Sequence, residues 1–222
     1  MDKQNTAVEL VDIKLSNDAG ACLFEGLNLS LAQGETAIII GPTGVGKTSL
    51  VELLCGCRRQ DAGTVIIFGQ PVKIGNGHTL TAVRRKIGGV GGIFKLISYQ
   101  TVYENLLAPL IICGERPSVQ KTRVNQVLMD FRLQSKKCDK ARELSRGQQI
   151  LVMLARAIIA DQPLLIIDEP LAGLDAAMAG EVLELLRRFS VAGHTMVILS
   201  TGRTGLEIPN AKVLYIKDGI LQ

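Results

Sequence analysis

"TAIIIGPTGVGKTSLVELLC", residues 36–55, sets an apolar run, a glycine-rich turn and a helix-like stretch in immediate succession. The run at 36–40 lacks the polar alternation of a half-buried strand, as expected of a strand covered on both faces in a parallel sheet. The turn fits G-x-x-x-x-G-K-[ST] through Gly41, Gly46, Lys47 and Thr48. Gly41, Gly44 and Gly46 permit a loop whose backbone N–H groups converge on phosphate oxygens, and the following helix adds the partial positive charge of its N-terminus. Lys47 is placed to reach the β- and γ-phosphates and Thr48 to offer its hydroxyl to Mg²⁺. The whole stretch Gly41, Pro42, Thr43, Gly44, Val45, Gly46, Lys47, Thr48 and Ser49 is the candidate nucleotide-binding loop.

Similar apolar runs recur at "PLLIID" (163–168) and "TMVIL" (195–199), each followed by a glycine-containing turn and helical periodicity. That order predicts an α/β, phosphate-loop NTPase sandwich of three layers around a mostly parallel sheet. "VELVDI" (8–13) and "LNLSLA" (27–32) alternate and predict an N-terminal antiparallel ribbon. Val124, Val127, Leu128 and Phe131 recur at helical spacing, so 118–133 is expected to be an amphipathic helix. Residues 101–145 hold no strand candidate. A helical subdomain over about 101–160 inserted in one domain, 1–222, accounts for this.

An acidic residue at the end of a buried strand can reach the Mg²⁺ of a phosphate held on a neighbouring strand's loop, which makes Asp168 the second metal candidate. Glu169, next in the chain, is the candidate to orient or deprotonate the attacking water. No N-K-x-D stretch occurs, which counts against a guanine-reading GTPase.

Composition bounds the function. The chain has 222 residues, 47% of them apolar, enough for a sizeable core. Only 4% are aromatic and there is no Trp, so base-stacking platforms have little material and nucleic acid is not an expected partner. The net charge of +4 is spread in short clusters such as Arg84–Lys86. The N-terminal stretch "MDKQNTAVEL" carries no secretory signal. Apolar stretches such as "LLAPLIIC" (106–113) fall short of the ~18–20 residues of a membrane span, so a cytoplasmic chain is expected. Five cysteines without C-x-x-C spacing and two histidines make no zinc site.

"ELSRGQQILVMLARAII" (143–159) opens a helix at Ser145, and Ser145 with Gln148 is a capping box that needs no ligand. The segment also resembles the L-S-G-G-Q signature of ATP-binding cassette (ABC) ATPases. It stands in that family's order, ahead of "LLIIDEP" and "AGLD". The resemblance runs from the ribbon strands to "LYIKDG" (214–219), and "LTAVRRKIGGV" and "TVYENLLAPLIICG" are most similar to the cell-division FtsE, lipoprotein-release and macrolide-export branch. It implies ATP and Mg²⁺ as cofactors and a homodimeric ATP sandwich. In that sandwich the signature of one chain, Ser145, Arg146, Gly147 and Gln148, faces the γ-phosphate held by Lys47 of the other. Asp175 would then lie at the dimer seam, or serve as N-cap of the helix after "AGLD", or both. It further implies an integral membrane, permease-like partner whose cytoplasmic helix docks near Ile93 to Tyr103, leaving the chain peripheral at the inner face of the membrane. DNA-repair cassettes carry long insertions for which 222 residues leave no room.

The chain departs from the family pattern in four places. The glutamine that touches metal and water falls on Gly92, and Gln100 is the nearest glutamine. The γ-phosphate-binding histidine falls on Gly202. His194 lies at the far end of that strand, roughly 26 Å away at ~3.3 Å per residue, and Arg203 is the nearer cation. The adenine-stacking ring falls near Asp18, with Phe24 the only aromatic nearby. Arg146 replaces the first signature glycine. Losing one preorganised donor typically lowers kcat by ~10²–10³, so slow hydrolysis is expected, or a nucleotide-binding switch with scarcely any.

Overall fold

The computed structural model describes residues 5–75, 77–202 and 205–222. Strands β1 (Thr6–Ser16) and β2 (Cys22–Ala32) pair antiparallel, and β3 (Thr36–Ile40) leads through the glycine-rich turn into α1 (Lys47–Leu54). After β4 (Ala62–Ile67), β5 (Gln70–Pro71) and α2 (Gly77–Arg85) comes β6 (Ile87–Val90). Three helices follow before the next strand: α3 (Val102–Ile112), α4 (Pro117–Asp130) and α5 (Arg146–Ile158). The chain closes with β7 (Leu164–Asp168), α6 (Ala176–Val191), β8 (Thr195–Ser200), β9 (Lys212–Lys217) and β10 (Ile220–Leu221).

Two sheets result, a four-stranded one in the order β2-β1-β4-β5 and a six-stranded one in the order β10-β9-β3-β8-β7-β6. All pairings in the larger sheet are parallel except β10 with β9. Its central strands β3, β7 and β8 are buried at every residue, which is why they read as unbroken apolar runs. Alternate residues face opposite layers. Ile38, Ile40, Leu165, Ile167, Met196 and Ile198 pack with α3 to α6. Ala37, Ile39, Leu164, Ile166, Val197 and Leu199 pack with α1 and the antiparallel sheet. The predicted three layers are therefore present, with the sheet in the middle.

One expectation needs correction. β7, which ends in Asp168, is not the neighbour of β3, because β8 lies between them. In this register Ile40 pairs with Ser200 and Asp168 with Leu199, so the strand ends are level and Asp168 reaches the loop across the end of β8. α4 spans 117–130 where 118–133 was expected, with Pro117 preset for the first helical turn. No described helix is long and apolar enough to cross a membrane.

Candidate nucleotide site

The loop after β3 closes by local sterics. Gly46 caps α1 at φ 104°, and a Cβ there would stand 2.9 Å from the Phe24 ring. Gly44 also takes a positive φ, 86°, which glycine alone adopts cheaply. Lys47, the first residue of α1 and buried, folds back over the loop, and its Nζ donates to the carbonyls of Gly41 at 2.6 Å and Pro42 at 3.1 Å.

Glu169 follows β7 in the left-handed region at φ 52°, with its N–H on the Leu199 carbonyl at 2.9 Å. Its Oε2 accepts from Thr201 Oγ1 at 3.4 Å. Its Oε1 is buried, makes no hydrogen bond, and faces Lys47 Nζ at 3.5 Å. Asp168 is buried beside it. Burial first, and the Glu169 charge second, push the Asp168 carboxyl above the usual aspartate range, with Lys47 opposing.

Thr43, Gly44, Gly46, Lys47, Thr48 and Ser49 share one open cavity of about 560 Å³ with Asp168 and Glu169. The hydroxyl of Thr48 and the carboxylate of Asp168 thus face the same space, an all-oxygen donor pair of the kind Mg²⁺ takes when phosphates and waters complete its shell. An ionised Asp168 held out of water is stabilised by such a cation, so the residues fit the group. Gly92 borders this centre, since a Cβ on it would collide with Asp168 Oδ2.

The signature residues stand elsewhere. Ser145 caps α5, its Oγ accepting from Gln148 N at 3.3 Å while Gln148 Oε1 accepts from Ser145 N at 3.0 Å. Gly147 is pressed against Met178 of α6, and Arg146 lines a second cavity with Gly92 and Lys95. None of residues 145–148 is among the walls of the phosphate cavity. Asp175 is the N-cap of α6, its Oδ1 accepting from Met178 N at 2.9 Å.

The substitutes for missing family residues fare differently. Phe24 has no exposed surface and is sealed behind Gly46, so it cannot stack on a base. The Gln100 carbonyl accepts from Ala141 N at 2.9 Å, tying residue 100 to the helices and not to the phosphate cavity. His194 lies edge-on to Phe189 just before β8, at the end away from the site. Arg203 falls outside the described residues. Thr201 was not singled out from the sequence. The available signal was a hydroxyl residue just past the end of an apolar run like the one that ends in Asp168.

The family profile described as ABC transporter matches residues 24–172. The chain is 30% identical over 96% of its length to the cell division ATP-binding protein FtsE of Bacillus subtilis, covering 94% of that protein. It is 32% identical over 89% of its length to the macrolide export ATP-binding/permease protein MacB of Campylobacter jejuni, of which it spans 31%. Among solved structures it superimposes with a TM-score of 0.86 on the dimeric post-hydrolysis state of the ATP-binding cassette MJ0796 bound to ADP and Pi. That match has 27% identity and covers 97% of this chain and 96% of the other.

Proposed function

The chain belongs to the ABC transporter family of ATP-binding cassettes, and from that premise we propose that it is the ATP-binding subunit of an FtsE-like complex. It couples ATP binding, dimerisation and slow hydrolysis to an integral membrane partner. The observation that carries this reading is the single cavity in which the phosphate loop meets Asp168 and Glu169 on level strand ends. Lys47 leaves its two carbonyl partners for the β- and γ-phosphates. Thr48 and Asp168 hold Mg²⁺, which supplies neutralisation of charge on those phosphates. Glu169 accepts the proton of the attacking water, steadied by the Thr201 hydroxyl. Ser145 and Gly147 of a second copy close the γ-phosphate, and Asp175 lies at the seam.

The partner docks beside Ile93 to Tyr103. There a groove of about 300 Å³ holds Ile97, Pro109 and Ile112 next to Arg84, Arg85 and Arg156. No carboxylate pairs with these arginines among the described residues, so the complement is an amphipathic cytoplasmic helix with acidic residues. Through that partner the chain sits on the inner face of the membrane.

A second reading is favoured by Gly92 and Gly202: a switch that closes on ATP without appreciable hydrolysis. Phosphate release with the membrane partner present, compared between the natural chain and Glu169→Gln, separates the two. A rate abolished by Glu169→Gln supports the ATPase, and equal background rates support the switch. Unchanged ATP affinity in Lys47→Ala would overturn both.

A further inference from the structure

The cavity that Arg146 lines with Gly92 and Lys95 has a volume of about 430 Å³ and shares no wall residue with the phosphate cavity. Three cations border it, Lys95, Arg142 and Arg146, beside the polar side chains of Ser98 and Gln149. Among the described residues no carboxylate is in its walls. Arg142 meets Glu143 only at 3.9 Å, with both side chains more than half exposed, and the other Glu143 oxygen accepts from Lys140 N at 3.2 Å.

The walls are fixed in place. Arg156 Nη1 donates to the Lys95 carbonyl at 2.9 Å and Nη2 to the Phe94 carbonyl at 2.7 Å, which holds the backbone that carries Lys95. Arg142 N donates to the Ser98 carbonyl at 3.1 Å and Ala141 N to the Gln100 carbonyl at 2.9 Å, so the two sides are joined. Gln149 Nε2 ties the Ala141 and Leu144 carbonyls at 3.3 and 3.1 Å. Like charges set around one space repel unless an anion lies between them. Guanidinium forks with an ammonium point charge are the donor set that phosphate oxygens take.

We propose that this cavity is an oxyanion site, separate from the nucleotide loop, that takes inorganic phosphate. Its position names the source. Gly92 borders the cavity and its backbone also lies against the Asp168 carboxylate, so one layer of main chain separates the cavity from the metal centre. The phosphate set free there is the oxyanion nearest at hand, a step that rests on the ATPase reading above. Arg146 is also the residue assigned to the partner's γ-phosphate. An anion held in the cavity engages that cation within its own chain, so phosphate opposes closure of the sandwich.

The test is calorimetric titration of inorganic phosphate, at constant ionic strength, into the full chain as Lys47→Ala, in which the nucleotide loop has lost its point charge. Saturable binding at a single site per chain is expected. Lys95→Ala together with Arg142→Ala, both at exposed side chains, should weaken it about tenfold or more. Absence of saturable binding overturns the proposal, and so does binding that the added pair of alanines leaves within about threefold. In light scattering, phosphate should reduce the Mg-ATP dimer of Glu169→Gln and spare that of Glu169→Gln carrying the two alanines. Equal loss in both would show phosphate acting at the nucleotide loop and overturn the opposition to closure. A Glu169→Gln chain that never dimerises overturns the sandwich reading while the calorimetric result still decides the site, so the two failures are distinguishable.

Discussion

At Gly202 an added Cβ meets nothing within 4 Å, the backbone needs no positive φ, and the neighbouring surface includes Glu169 and Thr201. A histidine fits there. At Gly92 the backbone is left-handed, φ 50°, and a Cβ would strike the Asp168 carboxylate. The two departures from the family pattern are therefore unequal. Gly202→His should raise the ATPase rate, by at most ~10²-fold, the scale of one restored electrostatic contact. Gly92→Gln should not raise it, and it should lower Tm, since the left-handed backbone alone costs roughly 1–2 kcal/mol and Asp168 must also move. Phosphate release and thermal melts of both variants check this, and a faster Gly92→Gln enzyme would refute it. Asp168 makes a second prediction. Its folded pKa is raised, so the folded state binds more protons than the unfolded one between the ordinary aspartate value and the raised value, and stability falls as pH rises through that window. Above it the ionised carboxylate is a standing cost. Asp168→Asn should accordingly raise the Tm of the nucleotide-free protein at pH 7, with the gain shrinking as pH drops through the window, while weakening the Mg²⁺ dependence of ATP binding. A variant that melts below the natural chain at pH 7 would contradict this.

Among the elements, α5 is fixed at both ends by glycines that act differently. Gly88 in β6 lies so close to the Ala157 carbonyl that a Cβ cannot fit unless α5 shifts as a body. Gly88→Ala should cost about 3 kcal/mol, the upper end for overpacking, and thermal melts should show it. Gly147 faces Met178, with Cγ at 2.5 Å and Sδ and Cε at 2.9 Å from an added Cβ. Met178 must turn about its first side-chain bond to clear Cγ, so Gly147→Ala should lose about 1–2 kcal/mol, less than Gly88→Ala, while impairing nucleotide-driven dimerisation if the proposed sandwich brings this backbone to the partner's phosphate. Equal Tm losses in the two variants would show that Met178 does not yield. The same elements show what the sequence could disclose. β3, β7 and β8 were legible because burial on both faces leaves no polar alternation, and the phosphate loop because its glycines and lysine sit at fixed spacing between strand and helix. Their lateral order was not legible, since periodicity reports burial and not neighbours, and so the place of β8 between β3 and β7 was missed. Phe24, the only aromatic near the expected ring, turns inward for a local reason. Leu27, Leu29 and Leu31 face inward by alternation, which puts residue 24 outward, but the register slips past Gly26, where φ is 79°, and the phase reverses.

At the scale of the whole molecule, the phosphate cavity is open on the side where nothing of residues 145–148 reaches it, so one chain alone binds nucleotide without enclosing it. In the proposed sandwich, closure comes from a second copy whose α5 N-terminus meets the exposed γ-phosphate. A helix terminus contributes about 0.3–1 kcal/mol to an anion at an exposed site and up to ~2 kcal/mol when partly buried, and in a symmetric pair each contribution is made twice. Arg146 adds a full charge at that terminus, an anion partner that glycine would not provide. The isolated chain should therefore be largely monomeric without nucleotide and shift toward a dimer in Mg-ATP, most clearly as Glu169→Gln, in which the triphosphate persists. Arg146→Glu should retain the ATP affinity of the single chain, since residue 146 lies outside its cavity, yet fail to dimerise. Light scattering reads the mass and calorimetry the affinity. If the mass is the same with and without Mg-ATP far above the nucleotide Kd, the isolated subunit forms no sandwich. If Arg146→Glu weakens ATP binding at concentrations where the chain stays monomeric, the signature acts within its own chain and not across the seam.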